Sequence, residues 1–514
     1  MSWLQTATQA NGAYAIIACA AVALLLAARP DRLPLRFPVE VISSIAFFLY
    51  GGLAAAYALY PNYSDLAGPA MTAVGIALLE GRPLYPGLDD YSFHGMLYGP
   101  LLAEIQAAGI YLGSGLAGLP VMVSSKLPGV LAFFAAAGVF LKAARGPGFA
   151  TVYATLFLLP FQIVAFWNRC EPLLLLLVAL SFWSLELPRA RALLALGLCA
   201  GLASALKLHA WLYIAPAVAV FLSRKDIGAN AVLRIPAAAA GAFLLTFAPD
   251  GVSLPAFLGY LRYAAGHGLS WQMFAVNLAF ICALWSPLLV ALAPGGRWRA
   301  LLAPPLIALL AAELAVAIVG AKPGAGIHHL LPFIPANALI FARCLEGLPG
   351  PRARYASPAA VIVWLALLGP GLLACGAQAQ SMAWNWPIFA KAGTELRAIQ
   401  DRFPDVVMGA GGDATYPYVF LRPQLGWKGA AQVEYSSYMD LQLIGVPDLP
   451  LRRAFDTCEI GHLALPLGEA PFSLTTLYRP GMPLFSEELR ATFRRRFTRV
   501  AYGAWFEVYA CTPP

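Results

Sequence analysis

Runs of apolar residues, most of them roughly 16 to 22 positions long, recur along the first 376 residues of the chain. Most are long enough to cross about 30 Å of hydrocarbon as a helix. The pattern predicts about twelve spans, near 12–28, 39–60, 117–141, 149–167, 172–187, 192–206, 208–222, 235–249, 275–293, 302–320, 329–345 and 357–376. The first run has neither a basic start nor a small-residue cleavage site, so it reads as a retained helix. Residues 66–80 and 98–113 are interrupted by small and polar residues and read as helices lying in the membrane interface.

Lys and Arg favour the cytoplasmic side of short loops, and one alternation fits every loop. Arg29, Arg32, Arg36, Lys142, Arg145, Arg189, Arg191, Arg224, Lys225, Arg234, Arg297, Arg299, Arg343, Arg352 and Arg354 fall on one side. The opposite, exterior side receives a first loop of about 61–116, the turns at 167–172 and 207, the segments 249–274 and 320–329, and everything after 376.

The pattern changes after residue 376. Pro387–Phe403 has helical spacing, Val406–Gly409 is apolar then glycine-rich, and Arg499–Cys511 alternates about a Tyr502-Gly503 turn. The expected organisation is an α-helical polytopic membrane domain over 1–376 and a small α/β domain over 377–514, outside the cell. Cys458 and Cys511 lie in that tail, where an oxidising compartment permits a disulfide. Trp384 and Trp386 read as interface markers after the last span.

Composition sharpens this picture. The chain is 60% hydrophobic and only 12% charged, with mean hydropathy +0.69, which excludes an ordinary soluble enzyme. The net charge of +8 belongs to the apolar part and is scattered between spans. It forms no basic face for nucleic acid. The eight cysteines show no metal-ligand spacing, and no phosphate-binding glycine loop precedes a helix.

Ionisable groups are costly near a bilayer and are usually paired or functional. Here they crowd the outer face: Asp65, Asp89, Asp90, His94, Glu104, Arg169, Glu171, Lys207, His209, Arg262, His267, Lys322, His328 and His329. Asp65 stands between a membrane helix and the following helix, where it serves as an N-cap, a base, or both.

Along the chain stand Tyr63-Ser64-Asp65, Gly81-Arg82-Pro83-Leu84-Tyr85, Tyr98-Gly99-Pro100-Leu101, Asn168-Arg169-Cys170-Glu171-Pro172, Lys207-Leu208-His209 and His328-His329-Leu330-Leu331-Pro332. In this order they resemble the GT-C superfamily of membrane glycosyltransferases, in the layout of the polyprenyl-phosphate-dependent mannosyl- and aminoarabinosyltransferases. The chain departs from that pattern in placing two apolar runs before the acidic loop, and in carrying His328-His329 where many relatives carry Arg-Tyr. It also lacks an Asp-Glu or Asp-x-Asp pair after Tyr63, so no cofactor and no required divalent metal is expected.

The resemblance implies an inverting transfer from a polyprenyl-phosphate sugar to a glycan, glycolipid or protein on the outer face of a bacterial plasma membrane. Asp65 would be the general base. Lys207, Lys322, His328, His329 and Arg169 would hold the donor phosphate, and Asp89, Asp90, His94, Tyr98, Glu171 and His209 would contact sugar or acceptor. Structural alternatives stand beside these roles: an ion pair of Arg169 with Glu171, a snorkelling Lys207, an interfacial cap at His328-His329, and simple solvation of Asp89 and Asp90. The rival from another class is a transporter or flippase of lipid-linked sugars. That reading calls for mid-membrane ionisable groups and pseudo-symmetric halves, and neither is visible in the sequence.

Overall fold

Proline, more than side-chain capping, sets where the helices begin. Pro100, Pro172, Pro216, Pro417 and Pro450 each occupy a first or second helical position, where the missing N–H costs nothing. The computed structural model describes residues 36–91, 98–145, 148–223, 232–292, 298–346, 358–425, 435–479 and 481–513. The run at 12–28, His94, and the basic residues Arg29, Arg32, Arg224, Lys225, Arg297, Arg352 and Arg354 lie outside the described residues.

In chain order the helices are α1 (Arg36–Leu59), α2 (Ala67–Leu79), α3 (Pro100–Ile110), α4 (Val121–Ala143), α5 (Phe149–Leu158), α6 (Glu171–Ser184) and α7 (Arg189–Leu206). They continue with α8 (Ala215–Leu222), α9 (Arg234–Leu245), α10 (Leu254–Ala265), α11 (Trp271–Leu292), α12 (Pro304–Val319), α13 (Ile334–Glu346) and α14 (Pro358–Arg402). The remainder holds β1 (Val406–Met408), α15 (Tyr416–Val419), α16 (Tyr435–Leu443), α17 (Leu449–Asp456), β2 (His462–Pro466), α18 (Glu487–Arg496), β3 (Phe497–Tyr502) and β4 (Phe506–Cys511).

Four helices among the described residues are long and apolar enough to cross a membrane: Glu40–Leu59, Val121–Ala143, Arg189–Leu206 and Trp271–Val290. Several other expected spans are apolar but broken. The run at 149–167 stops being α-helical at Leu159, where a 3-10 segment contains Gln162 at φ 52°. The runs at 208–222 and 329–345 both open with 3-10 turns, Leu208–Tyr213 and Ile327–Phe333. Helix α14 continues through residue 376, so the change in composition there falls within one helix.

The chain forms two compact units. The first comprises Met1–Ala56, Gly129–Leu245 and Leu269–Gln380; the second comprises Tyr57–Pro128, Thr246–Gly268 and Ser381–Pro514.

In the first unit α7 packs against α9 through Gly197 and Gly201. A Cβ on Gly201 would come within 2.3 Å of the Ala239 carbonyl oxygen, so the two backbones approach as small-xxx-small pairs allow. Gly201→Leu is expected to cost about 1–3 kcal/mol through overpacking. Gly241→Ala, which meets nothing within 4 Å, should leave the melting temperature unchanged. Equal melting temperatures for both variants and wild type would refute the close approach.

Glu313 lies inside α12, fully buried, and accepts hydrogen bonds from Trp285 Nε1 at 2.6 Å and Asn337 Nδ2 at 2.7 Å. An ionisable group within an apolar span is therefore present, contrary to the sequence expectation. Its oxygens join α11, α12 and α13, the use expected of a polar group among packed membrane helices.

In the second unit α2 is buried from Gly68 to Ala77 and packs against α3. It is enclosed by protein, in contrast to the interfacial helix expected, because apolar residues occupy all its faces. A four-stranded sheet of order β1-β2-β4-β3 has β1 parallel to β2 and the other pairs antiparallel. Phe455, Phe472, Phe485, Phe493 and Phe497 fill the core beside it. A disulfide joins Cys458 to Cys511. The first long loop and the tail belong to this same unit: Asn62 Nδ2 donates to the Pro417 carbonyl at 3.0 Å, and Tyr438 Oη donates to the Tyr91 carbonyl at 3.1 Å.

Candidate functional site

The breaks in the apolar helices gather the chemistry of the first unit. The turn between Ala165 and Glu171 packs tightly on α4: a Cβ at Gly129 would lie 2.1 Å from the Trp167 carbonyl oxygen. Only glycine admits that approach. Helix α7 ends at Lys207, whose backbone is extended (φ −144°, ψ 126°), and this turns its side chain inward.

Lys207 Nζ donates to Glu171 Oε1 at 2.7 Å, while Trp167 Nε1 donates to Glu171 Oε2 at 2.8 Å. The two ionised side chains are 6% and 0% exposed. Glu171 is thus ion-paired with Lys207, and Arg169 also acts on it electrostatically. Snorkelling by Lys207 is excluded by the same geometry. The Arg169 guanidinium lies over the Trp167 ring at 4.0 Å, a cation–π arrangement.

Three imidazoles complete the cluster. His328 meets the edge of Trp167 with ring centroids 5.9 Å apart and lies 4.7 Å from His329. His329 stacks on His209 at 5.8 Å. The Tyr213 hydroxyl donates to the His329 carbonyl at 2.7 Å and anchors that strand of the cluster. Lys322 and Lys207 are both within electrostatic reach of His209.

Burial holds His328 down to about 3, with Lys207 and Arg169 acting in the same direction against Glu171, so its ring is neutral at pH 7. Among the described residues, His209 Nε2 and His329 Nδ1 are enclosed and find no hydrogen-bond partner. Such atoms are costly unless something polar meets them. The cluster thus presents three cations, one carboxylate and uncommitted imidazole nitrogens. That suits an anion with several oxygens.

The second unit holds Asp65, buried, whose Oδ1 accepts the Gly68 N–H at 2.8 Å. The capping role is realised: Asp65 caps the first turn of α2. Asp89 is exposed and Asp90 half-buried, in a turn where the Asp90 N–H donates to the Gly87 carbonyl at 3.2 Å. The Tyr98 carbonyl accepts the Tyr85 hydroxyl at 3.3 Å.

Glu104 on α3 is pushed up by burial from 4.5 to about 7. A carboxyl raised in the folded state contributes stability below its unfolded value and loses it as pH rises through the folded one. Stability should therefore fall between about pH 4.5 and 7, and Glu104→Gln should flatten that slope in thermal melts taken across the window. An unchanged slope would dispose of the shift.

Sequence reading missed three residues with strong environments. Trp167 is the second partner of Glu171. Arg422, from the tail, is fully buried and bears electrostatically on Tyr63, as Asp65 does. Lys126 is a fully buried ammonium in α4. A lone lysine inside an apolar run was the available signal for the last. Among the described residues no three His, Cys, Asp or Glu side chains come together in a metal-binding group.

The fold and the cluster define a class: a helical protein with membrane-length apolar helices, a small disulfide-linked sheet domain, and a cluster of cations and imidazoles where its apolar helices break. No family model matches the chain, and no curated protein matches it. Two solved structures are similar to it, both crystal structures of ArnT from Cupriavidus metallidurans, one bound to undecaprenyl phosphate and one in the apo state. Each is 14% identical with a TM-score of 0.48, over 92% and 91% of this chain respectively and 97% of each ArnT chain.

Proposed function

We infer that the protein is a GT-C-type inverting glycosyltransferase that moves a sugar from a polyprenyl-phosphate donor to a glycan, glycolipid or protein acceptor on the outer face of the membrane. The observation that carries this reading is the cluster of Arg169, Lys207, Lys322, His209, His328 and His329 around Glu171. A polyprenyl-phosphate sugar is a phosphodiester with one negative charge, and its departing lipid phosphate acquires a second. Three cations against one carboxylate leave two positive charges in excess, which match the leaving group better than the donor. That difference lowers the barrier, since only interactions stronger in the transition state accelerate the step.

The acceptor hydroxyl gives its proton to the Asp65 carboxylate as its oxygen bonds to the anomeric carbon. The bond from that carbon to the phosphate oxygen breaks, and the electron pair leaves on the phosphate. The cap to Gly68 fixes the Asp65 carboxylate for this task. Glu171 keeps Lys207 extended into the cluster, and the neutral imidazoles supply N–H donors. The Cys458–Cys511 disulfide supports an exterior tail, because such bonds persist in oxidising compartments.

The test is to incubate purified protein with a panel of polyprenyl-phosphate sugars and follow slow hydrolysis, in which water takes the sugar and free polyprenyl phosphate is released. The reading expects release from one donor, lost in Asp65→Asn. No release from any donor, or equal release from both proteins, would refute it.

A further inference from the structure

Lys126 stands one turn into α4 and is 0% exposed. Its ammonium has three N–H donors and meets three main-chain carbonyls: Tyr60 at 2.5 Å, Asn62 at 2.6 Å and Tyr57 at 3.3 Å. The rings of Tyr57, Tyr63 and Tyr60 surround it at 4.8, 5.1 and 5.6 Å from their centroids. A buried charge is expensive, and an apolar side chain of equal length would fill the same space. What the lysine adds is a grip on main-chain carbonyls at the end of α1 and in the turn beyond it. That turn leads, three residues after Asn62, to Asp65.

A closed circuit of hydrogen bonds returns from Asp65 to the lysine. Asp65 Oδ1 accepts from the Gly68 N–H, and the Gly68 carbonyl accepts from Thr72 Oγ1 at 3.1 Å. Thr72 Oγ1 meets the Tyr63 hydroxyl at 2.7 Å, and that hydroxyl meets Ser125 Oγ at 2.7 Å, on the residue next to Lys126. The Asn62 side chain closes on the Tyr63 N–H at 2.9 Å. The segment from Tyr57 to Gly68 is thus tied at both ends and in the middle.

We propose that Lys126, acting through the Tyr63 bridge, is a positioning residue that holds the Asp65 loop in its reactive geometry. The proposal rests on the reading of Asp65 as the base. Lys126 touches no reacting atom: its effect passes through the backbone of residues 57–65. Misplacing a catalytic group by about 1 Å costs up to about 100-fold in rate.

The experiment measures donor KM and kcat per folded molecule, counted by polyprenyl phosphate binding, for full-length wild type, Lys126→Met, Asp65→Asn and the double variant. The expected result is a 10- to 100-fold lower kcat in Lys126→Met with the donor KM unchanged, and no further loss when Lys126→Met is added to Asp65→Asn. Tyr63→Phe, which removes one hydroxyl and leaves the lysine in place, should lower kcat by a smaller factor; it decides the matter if Lys126→Met fails to bind lipid phosphate. Wild-type kcat in Lys126→Met, or in Tyr63→Phe where that variant decides, overturns the positioning role provided Asp65→Asn is impaired. An equal further loss from the residual turnover of Asp65→Asn overturns it as well. Wild-type turnover in Asp65→Asn instead overturns the base assignment itself.

Discussion

Lys207→Met is expected to destabilise the protein by about 3–5 kcal/mol, the cost of stranding a buried charge after its partner is removed. Glu171 is 0% exposed, and the Trp167 indole, which would still donate to it, carries no charge to replace the ammonium. A recovery is expected when both charges are removed. Glu171→Gln together with Lys207→Met removes both charges, and the double variant should regain most of the lost melting temperature in detergent. It should regain only part of the transfer: Arg169 and Lys322 still leave an excess of two positive charges, but the N–H donors proposed to reach the phosphate from Lys207 are gone. A stable Lys207→Met single variant would mean that the pair holds nothing together. A double variant with full turnover would mean that Lys207 serves structure alone.

Asp65→Asn is expected to lower kcat by about 10²- to 10⁴-fold, the contribution typical of a positioned general base. The substitution is chosen because asparagine caps a helix as well as aspartate does. Its side-chain oxygen can still accept the Gly68 N–H, so the melting temperature should stay at the wild-type value while turnover disappears. Asp65→Ala loses the cap too and should cost about 1 kcal/mol of stability in addition. Wild-type turnover in Asp65→Asn, with lower stability only in Asp65→Ala, would reduce Asp65 to a cap.

The sequence showed where the ionisable groups are but not how they pair. Arg169, Glu171, Lys207, His209, Lys322, His328 and His329 were all visible as charges and imidazoles at the ends of apolar runs, and the first unit brings them together. The pairing of Glu171 with Lys207 was not legible. Lys207 is 36 residues from Glu171, and only the packing of α6 against α7 brings the two together. The breaks at Leu159–Ala165, Leu208–Tyr213 and Ile327–Phe333 were hidden because hydropathy registers apolarity and is blind to backbone conformation. Lys126 and Glu313 were passed over for a related reason: each is a single polar residue in a greasy run, and its partners come from distant segments. The α/β character of the tail was legible from its alternation. The burial of α2 was not, since an apolar helix among small residues looks the same against lipid and against protein.

The cluster as a seat for a lipid-borne phosphate is the centre of the account, and equilibrium binding tests it most directly. Polyprenyl monophosphate and the corresponding polyprenyl alcohol should be titrated against wild type and Lys322→Ala, a variant that leaves the Glu171–Lys207 pair intact. The account predicts binding of the phosphate at least tenfold tighter than the alcohol, with that preference lost in Lys322→Ala. Equal affinity for phosphate and alcohol, or an unchanged preference in the variant, would contradict it.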